Sequence, residues 1–267
     1  MSEIITSSSN KVIKHVKALS VKKYRDEYGE FIIEGIKLVR EAVEYSAAIS
    51  YLLVNAEKTE HDGIKGIIEK AEEVGSNVIY LDGKVFDEIS ETETPQGVMA
   101  IVKKNVFDLE AVLKNTILNV LVLDEVRDPG NMGTIIRTAD ACGMDAVILS
   151  KGCADVYGGK VVRSTMGSIF HIPIITGINA PELICRMNAM GVLTIGADPY
   201  GEVPCTGIEK SDKNAIIIGN ESNGLSDEVK ASLLVKTRIP MPGKAESLNA
   251  GIAAAIMMYE VAVRKTI

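Results

Sequence analysis

Two prolines and a glycine within four residues constrain this chain more than any other feature. Pro240, Pro242 and Gly243 lie inside Arg238-Ile-Pro-Met-Pro-Gly-Lys-Ala-Glu-Ser-Leu-Asn249. Val235 and Ile239 are β-formers, so a strand is predicted to end at Arg238-Ile239, where Pro240 stops further pairing. The loop that follows can be neither helix nor sheet. Ser247 reads as a helix N-cap, and the apolar run Ala250 to Val263 reads as a helix. An irregular loop is thus pinned between a strand end and a buried helix. Ser247 and Asn249 both stand where a cap needs one polar residue, and backbone groups held off regular pairing are free to grip a small polar ligand.

Upstream, strands and helices alternate. Glu30 to Glu34, Ile49 to Val54, Asn77 to Leu81 and Gly97 to Val102 read as strands. A basic helix over about Ser9 to Leu19 precedes them, and helical spacing marks Ile36, Val39, Ala42 and Val43, then Ile64 to Val74. This is a small α/β domain, placed at residues 1–104. The charged stretch 105–117 breaks the pattern and reads as a linker. A second α/β domain with a mostly parallel sheet is predicted over 118–267. It opens on the continuous apolar strand Val120 to Asp124, followed by a helix from Thr134 that stops at Gly143. Further strands are predicted at Asp145 to Leu149, Ile172 to Ile175, Val192 to Ala197 and Ala215 to Ile218.

Composition narrows the function classes. Among 267 residues, 46% are hydrophobic and 24% charged, which fits a globular chain with a sizeable core. No apolar run reaches membrane-spanning length and the start lacks a secretory pattern, so a cytoplasmic protein with no membrane partner is expected. Cys142, Cys153, Cys185 and Cys205 are scattered like reduced thiols, and His15, His61 and His171 are equally dispersed, so no metal is expected. A net charge of −7 argues mildly against nucleic acid. Yet Lys11, Lys14, Lys17, Lys22, Lys23 and Arg25 form a basic segment free of acids. Such a run is most often a solvated face, but it is also the electrostatic footprint of phosphate contact.

The nucleotide signatures fail: no G-x-G-x-x-G follows a first strand, and Ala154 and Val161 spoil the P-loop resemblance around Gly159-Lys160. Asn131 reads first as a helix N-cap. With Thr134 and Arg137 it also stands near the start of one helix, and an arginine facing a strand-end crevice can fork a phosphate or carboxylate. A third cluster, Gly219-Asn-Glu-Ser-Asn-Gly224, follows the apolar strand and puts Glu221 at its carboxyl end, where open α/β sheets bind ligands.

Asp128-Pro-Gly-Asn-Met-Gly133 with Arg137-Thr-Ala139, Gly219-Asn-Glu-Ser-Asn-Gly-Leu225, and Ile239-Pro-Met241 with Ser247-Leu-Asn249 and Tyr259-Glu260 resemble, in order, the three motifs of the SpoU/TrmH family. These are S-adenosylmethionine-dependent RNA ribose 2′-O-methyltransferases of the SPOUT superfamily. Arg163-Ser-Thr-Met-Gly-Ser168 with Pro173 resembles the family's segment between motifs. The N-terminal domain is similar in layout to the substrate-binding module of ribosomal-RNA members. Ser222-Asn223 depart from the pattern, since many members carry a glycine after the glutamate.

The resemblance implies a C-terminal trefoil knot, with the Ile239–Asn249 loop beside the Gly219 loop, and a homodimer through the C-terminal domain. It implies catalytic roles for Arg137, Asn131, Glu221, Ser247 and Asn249. Donor contacts fall to Ile195, Gly196, Gly219, Asn220, Ile239, Met241, Leu248 and Asn249. RNA contacts are expected at Lys11, Lys14, Lys22, Lys23, Arg25 and Arg163, with ribosomal RNA of the large subunit as the leading substrate. Transfer RNA is the competing substrate, a non-catalytic ribosome-assembly factor the reading from another class. A small-molecule methyltransferase would leave the basic helix without a purpose.

Overall fold

The computed structural model describes residues 4–209 and 211–263. It divides into two compact units, Met1–Asn105 with Asp155–Phe170, and Val106–Ala154 with His171–Ile267. The stretch 155–170, read from the sequence as part of the second domain, therefore packs with the first.

In the first unit, strands β1 (Ile4–Ile5), β2 (Glu30–Glu34), β3 (Ile49–Asn55), β4 (Val78–Leu81) and β5 (Val98–Lys103) form one mixed sheet in the order β1-β4-β3-β5-β2. Helices α1 (Lys11–Leu19), α2 (Lys22–Tyr28), α3 (Ile36–Glu44), α4 (Asp62–Glu73) and α5 (Gly83–Ile89) accompany it. The basic segment is two helices, because the chain turns at Ser20-Val21. α1 is amphipathic: Ile13, Val16 and Leu19 enter a core with Leu53, Phe86, Met99 and Ile101, while Lys11, Lys14 and Lys17 face solvent. The Asn10 side chain caps it by accepting from the Val12 amide at 2.8 Å.

Arg25 corrects an expectation. Rather than offering its charge to a phosphate, it is 8% exposed and wholly engaged. Its Nε and Nη2 donate to Asp155 Oδ2 at 3.0 and 2.7 Å, and Nη1 donates to the carbonyls of Leu19 and Ser20 at 2.6 and 2.7 Å. A planar fork of five donors suits this task of joining the α1–α2 turn to the 155–170 stretch. Phe31 and Tyr157, ring centroids 4.9 Å apart, extend the same seam.

The second unit is a seven-stranded, wholly parallel sheet in the order β10-β12-β9-β11-β6-β7-β8. Its strands are β6 (Leu118–Leu123), β7 (Ala146–Ser150), β8 (Ile174–Ile178), β9 (Leu193–Ala197), β10 (Val203–Pro204), β11 (Lys213–Ile218) and β12 (Val235–Arg238). β6 and β11 are buried apolar runs, as centrally placed parallel strands must be. Helices α6 (Leu109–Leu113), α7 (Pro129–Ala141), α9 (Ala180–Ala189), α10 (Asp227–Ser232) and α11 (Ala250–Met258) belong to this unit, and α8 (Gly159–Thr165) to the first. Residues 105–117 are thus not a bare spacer, since Leu113 of α6 is buried in the second unit's core. α7 starts at Pro129, five residues before the predicted Thr134, because Asp128 caps it and proline at the first position is pre-set for helix. α11 passes into a π turn over Tyr259–Val263.

Cutting the Arg25 fork would strand the Asp155 carboxylate with half its partners gone. Arg25→Ala is therefore expected to lower the unfolding free energy by about 3 kcal/mol, while Lys11→Ala stays within about 0.5 kcal/mol. Urea unfolding of both variants checks this, and equal effects would remove the structural role given to Arg25.

Candidate functional site

Three strand ends of the second unit supply the site. β6 leads directly into Asp124, whose Oδ2 accepts from the Ser226 amide at 3.0 Å and the Ser226 hydroxyl at 2.9 Å. That pair ties the end of β6 to the end of the Gly219–Leu225 loop. The loop closes on itself: the amides of Asn220 and Gly224 each donate to the other's carbonyl at 2.9 Å. Asn220 Oδ1 accepts from the Ser222 and Asn223 amides at 2.9 and 3.1 Å, and its Nδ2 donates to the Glu125 carbonyl at 2.9 Å. Ser222-Asn223, the departure from the family pattern, are held by this amide without a glycine. Gly219 has no alternative, because a Cβ there would lie 2.2 Å from the Gly224 carbonyl carbon.

Glu221 projects from the loop onto the start of α7. Its Oε1 accepts from the Asp128 amide at 2.9 Å and from Asn131 Nδ2 at 3.1 Å, and its Oε2 from the Arg127 amide at 3.2 Å. Desolvation pushes this carboxyl up, but the donors around it outweigh that and hold its pKa below the usual value. Asn131 is not the N-cap expected of it. Asp128 takes that place, its Oδ1 accepting the Asn131 amide at 2.7 Å. The Asn131 side chain is thereby released to bridge, its Oδ1 accepting from Asn249 Nδ2 at 2.8 Å. Asn249, not Ser247, caps α11, its Oδ1 accepting from the Gly251 and Ile252 amides at 2.9 and 3.3 Å. The result is a line of side chains, Asn249 to Asn131 to Glu221, that joins all three motifs.

Beside this line lies a cavity of about 260 Å³. Gly219, Asn220, Glu221, Ile239, Met241, Ser247 and Leu248 line it, whereas Asn249 does not. Ile195 and Gly196, expected to touch the donor, are buried in β9 and stay outside the lining. Gly196 instead makes room for neighbours, since a Cβ there would lie 2.2 Å from Leu233 Cδ1. The lining is taken up just beyond, by Ala197, Asp198, Pro199 and Tyr200. Asp198, 8% exposed, forms an ion pair with Lys230 at 3.3 Å, and both face the cavity. Sequence reasoning missed Asp198, Tyr200 and Lys230, although an acid directly after β9 matches the strand-end placement that singled out Glu221. Arg137 stands on the exposed face of α7 and is not part of the lining.

The residues expected to touch RNA lie in the first unit. Lys11, Lys14, Lys22 and Lys23 are exposed, with Lys22 paired to Asp26, and Arg163 Nη1 donates to Glu91 Oε2 at 2.9 Å. Arg25 is excluded by its burial.

Comparison with known proteins gives a consistent picture. Residues 119–259 match the model of the SpoU rRNA Methylase family, and residues 10–100 that of the MRM3-like substrate binding domain. The chain is 39% identical over 261 residues to a 23S rRNA (guanosine(2553)-2′-O)-methyltransferase of Bacillus subtilis, covering 96% of this chain and 98% of the relative. It is 31% identical over 274 residues to a 23S rRNA (uridine(2479)-2′-O)-methyltransferase of Streptomyces viridochromogenes, covering 98% and 92%. Among solved structures, the AdoMet-bound rRNA methyltransferase from Sinorhizobium meliloti superposes with a TM-score of 0.87 at 34% identity, over 100% of this chain and 99% of that one. A structure concerned with 2-OH methylation of C/U34 on tRNA matches with a TM-score of 0.50 at 25% identity, over 57% of this chain and 99% of its own.

The Glu221 carboxylate contributes to stability only while ionised. Its pKa is depressed in the folded chain, so that contribution is present above the unfolded pKa and is lost as pH falls through the folded one. Glu221→Gln is expected to cost about 1 kcal/mol at neutral pH, a modest figure because the group is partly solvated. The gap from wild type should close on acidification. Urea unfolding measured at several pH values checks this, and a gap unchanged into acid would refute the assignment.

Proposed function

Because the chain belongs to the SpoU rRNA methylase family, we propose that it methylates a ribose 2′-hydroxyl of large-subunit ribosomal RNA, with S-adenosylmethionine as donor. The observation that carries this reading is the Asn249–Asn131–Glu221 line standing beside the 260 Å³ cavity. A mere RNA-binding scaffold needs neither. Ribosomal RNA is preferred to transfer RNA because the tRNA-related structure has no counterpart for much of this chain, at 57% coverage.

The cavity suits the donor. Ile239, Met241 and Leu248 offer an apolar wall for a flat ring, and Asn220, Asp198 and Lys230 offer polar groups for hydroxyls and a zwitterionic end. Bound there, S-adenosylmethionine supplies an electrophilic methyl group on a sulfonium centre. The chain's residues then have separable tasks. Glu221 holds the start of α7 through two backbone amides, and Asn131 and Asn249 are locked in one orientation by their mutual bond. Ser247, in the cavity lining, and this amide pair are assigned to orient the ribose. Correct placement of two reactants is worth about 7–11 kcal/mol in the best intramolecular cases.

Arg137 is assigned to the RNA. A guanidinium does not give up its proton at ordinary pH, so its work is to hold a phosphate and stabilise the developing alkoxide. The ribose proton passes to another group, a role assigned to the substrate's own phosphate.

The reading extends to assembly and chain path. Ile252 and Tyr259 are 54% and 52% exposed on the helical stretch that packs against α7. A second copy docked there would cover both, which supports a homodimer. The final strand β12 lies between β10 and β9 rather than at an edge. An inserted last strand supports a trefoil-knotted C-terminus. We place the protein in the cytoplasm, where ribosomal RNA is available.

Arg137→Ala is expected to reduce methyl transfer at least about 100-fold while donor affinity, measured by calorimetry, stays within about twofold. Transfer from tritiated donor to 23S ribosomal RNA reads the first quantity, and near-normal turnover would dismiss the role. Ile252→Glu is expected to yield monomers in sedimentation velocity; an unchanged dimer would move the interface elsewhere.

A further inference from the structure

The first unit holds a concavity that the methyl-transfer site does not use. Its volume is about 330 Å³, and it opens where β2 turns through Gly35 into α3. Lys37, Thr94, Gln96, Arg163 and Met166 line it. We propose that it receives one unpaired nucleotide of the RNA, distinct from the one methylated. This inference rests on the RNA-methylating function proposed above.

The cavity wall is fixed in advance. Glu34, 8% exposed, accepts from the Ser90 hydroxyl, from the Glu91 amide at 3.1 Å and from the Thr92 hydroxyl at 2.6 Å. Those bonds pin residues 90–92 and solvate the Glu34 carboxylate, which also lines the cavity, with three neutral donors. Glu91 in turn holds Arg163 Nη1 at 2.9 Å, which orients that guanidinium on α8.

The lining then offers the three contacts that single-stranded nucleotides require. Lys37 is exposed and has no ion-pair partner among the described residues, so its ammonium is available to a phosphate. Gln96 Oε1 accepts the Ile36 amide at 2.7 Å, which fixes the side-chain amide and leaves its NH₂ as an oriented donor. An oriented donor selects a base edge that presents an acceptor. Met166 supplies the apolar platform. It is 40% exposed and holds φ of +54°, a conformation that costs energy for any side chain but glycine. Its thioether is therefore displayed at a residue where glycine would be easier, and a polarizable sulfur packs well on an aromatic ring. The volume is at the lower end of small-ligand pockets, which fits one nucleotide rather than a duplex.

The test uses the full-length protein and in vitro-transcribed 23S ribosomal RNA as the probe. Lys37→Ala, Gln96→Ala and Met166→Gly are made singly and together. Met166→Gly relieves the positive φ, so loss of fold does not confuse the result. The combined variant is expected to weaken RNA binding in a filter assay on the order of tenfold or more, the size of one or two lost base contacts. Turnover at saturating RNA and donor affinity should stay at wild-type values. RNA affinity within about twofold of wild type in the combined variant would overturn the proposal. If wild type binds the RNA and the donor but transfers no methyl, the function proposed above falls while the cavity is still judged by binding. If wild type binds no 23S RNA, both fall.

Discussion

The site depends on a single bond more than on any other: Asn249 Nδ2 to Asn131 Oδ1, joining residues 118 positions apart. Each end of that amide pair has a second duty. Asn249 caps α11 with its oxygen, and Asn131 donates to Glu221 with its nitrogen. A side-chain amide has one acceptor end and one donor end, so when both are engaged the group has no rotational freedom left. The net worth of each such bond is only about 1 kcal/mol, far less than the entropy of ordering three loops. The loops are ordered because the strands below them are. Val120, Val122, Ala215 and Ile217 are buried in one core, and the line of amides sits on a platform already rigid.

The same division of labour shows in the cavity lining, whose parts differ. The Asn220–Gly224 loop is closed by its own backbone bonds and by a glycine that no side chain could replace. Tyr200, by contrast, is 93% exposed and is held through its amide, which donates to Asp198 Oδ1 at 2.9 Å. The cavity thus combines a tightly bonded loop with an exposed ring in its lining. The Asp198–Lys230 pair shows the same economy. Buried Asp198 is expensive unless paired, and its partner also faces the cavity, so the charge needed there is compensated before a ligand arrives.

Much of this was legible in the order of residues, and the failures have physical causes. Continuous apolar runs located β6 and β11, since a parallel strand covered on both faces has no polar register to confuse it. The prolines after Arg238 marked the end of β12. Asn131 and Ser247 were misjudged for one reason: several residues at each helix start could cap it, and local sequence does not rank them. Pro129 decides the first case by fixing the helix start, which hands the cap to Asp128. In the second case the long-range bond to Asn131 orients Asn249 as the cap. Ile195 and Gly196 lie outside the cavity lining, because the strand continues to Ala197 before its carboxyl end opens. Arg25 was unreadable, since its partner lies 130 residues away.

The loss of Arg25 from the RNA surface changes how substrate recognition must work. A chain of net charge −7 cannot attract RNA through its overall field, and the basic segment was the remedy suggested by charge alone. The fold spends Arg25, the strongest fork of that segment, internally. Arg25 is consumed by Asp155, whereas Lys17 and Lys22 carry exposed ion pairs with Glu88 and Asp26 that only partly offset their charge. Lys11, Lys14 and Lys23 stay exposed on α1 and α2. Counterion release scales with the number of phosphates neutralised, so a few exposed lysines would give limited, salt-sensitive affinity and no sequence information. On the recognition proposed above, the greater share of discrimination comes from shaped contacts with unpaired nucleotides, where fixed donors and apolar platforms act without a large positive field. An acidic protein can select a folded RNA on those terms, because selectivity for shape, unlike affinity for phosphate, does not require an excess of positive charge.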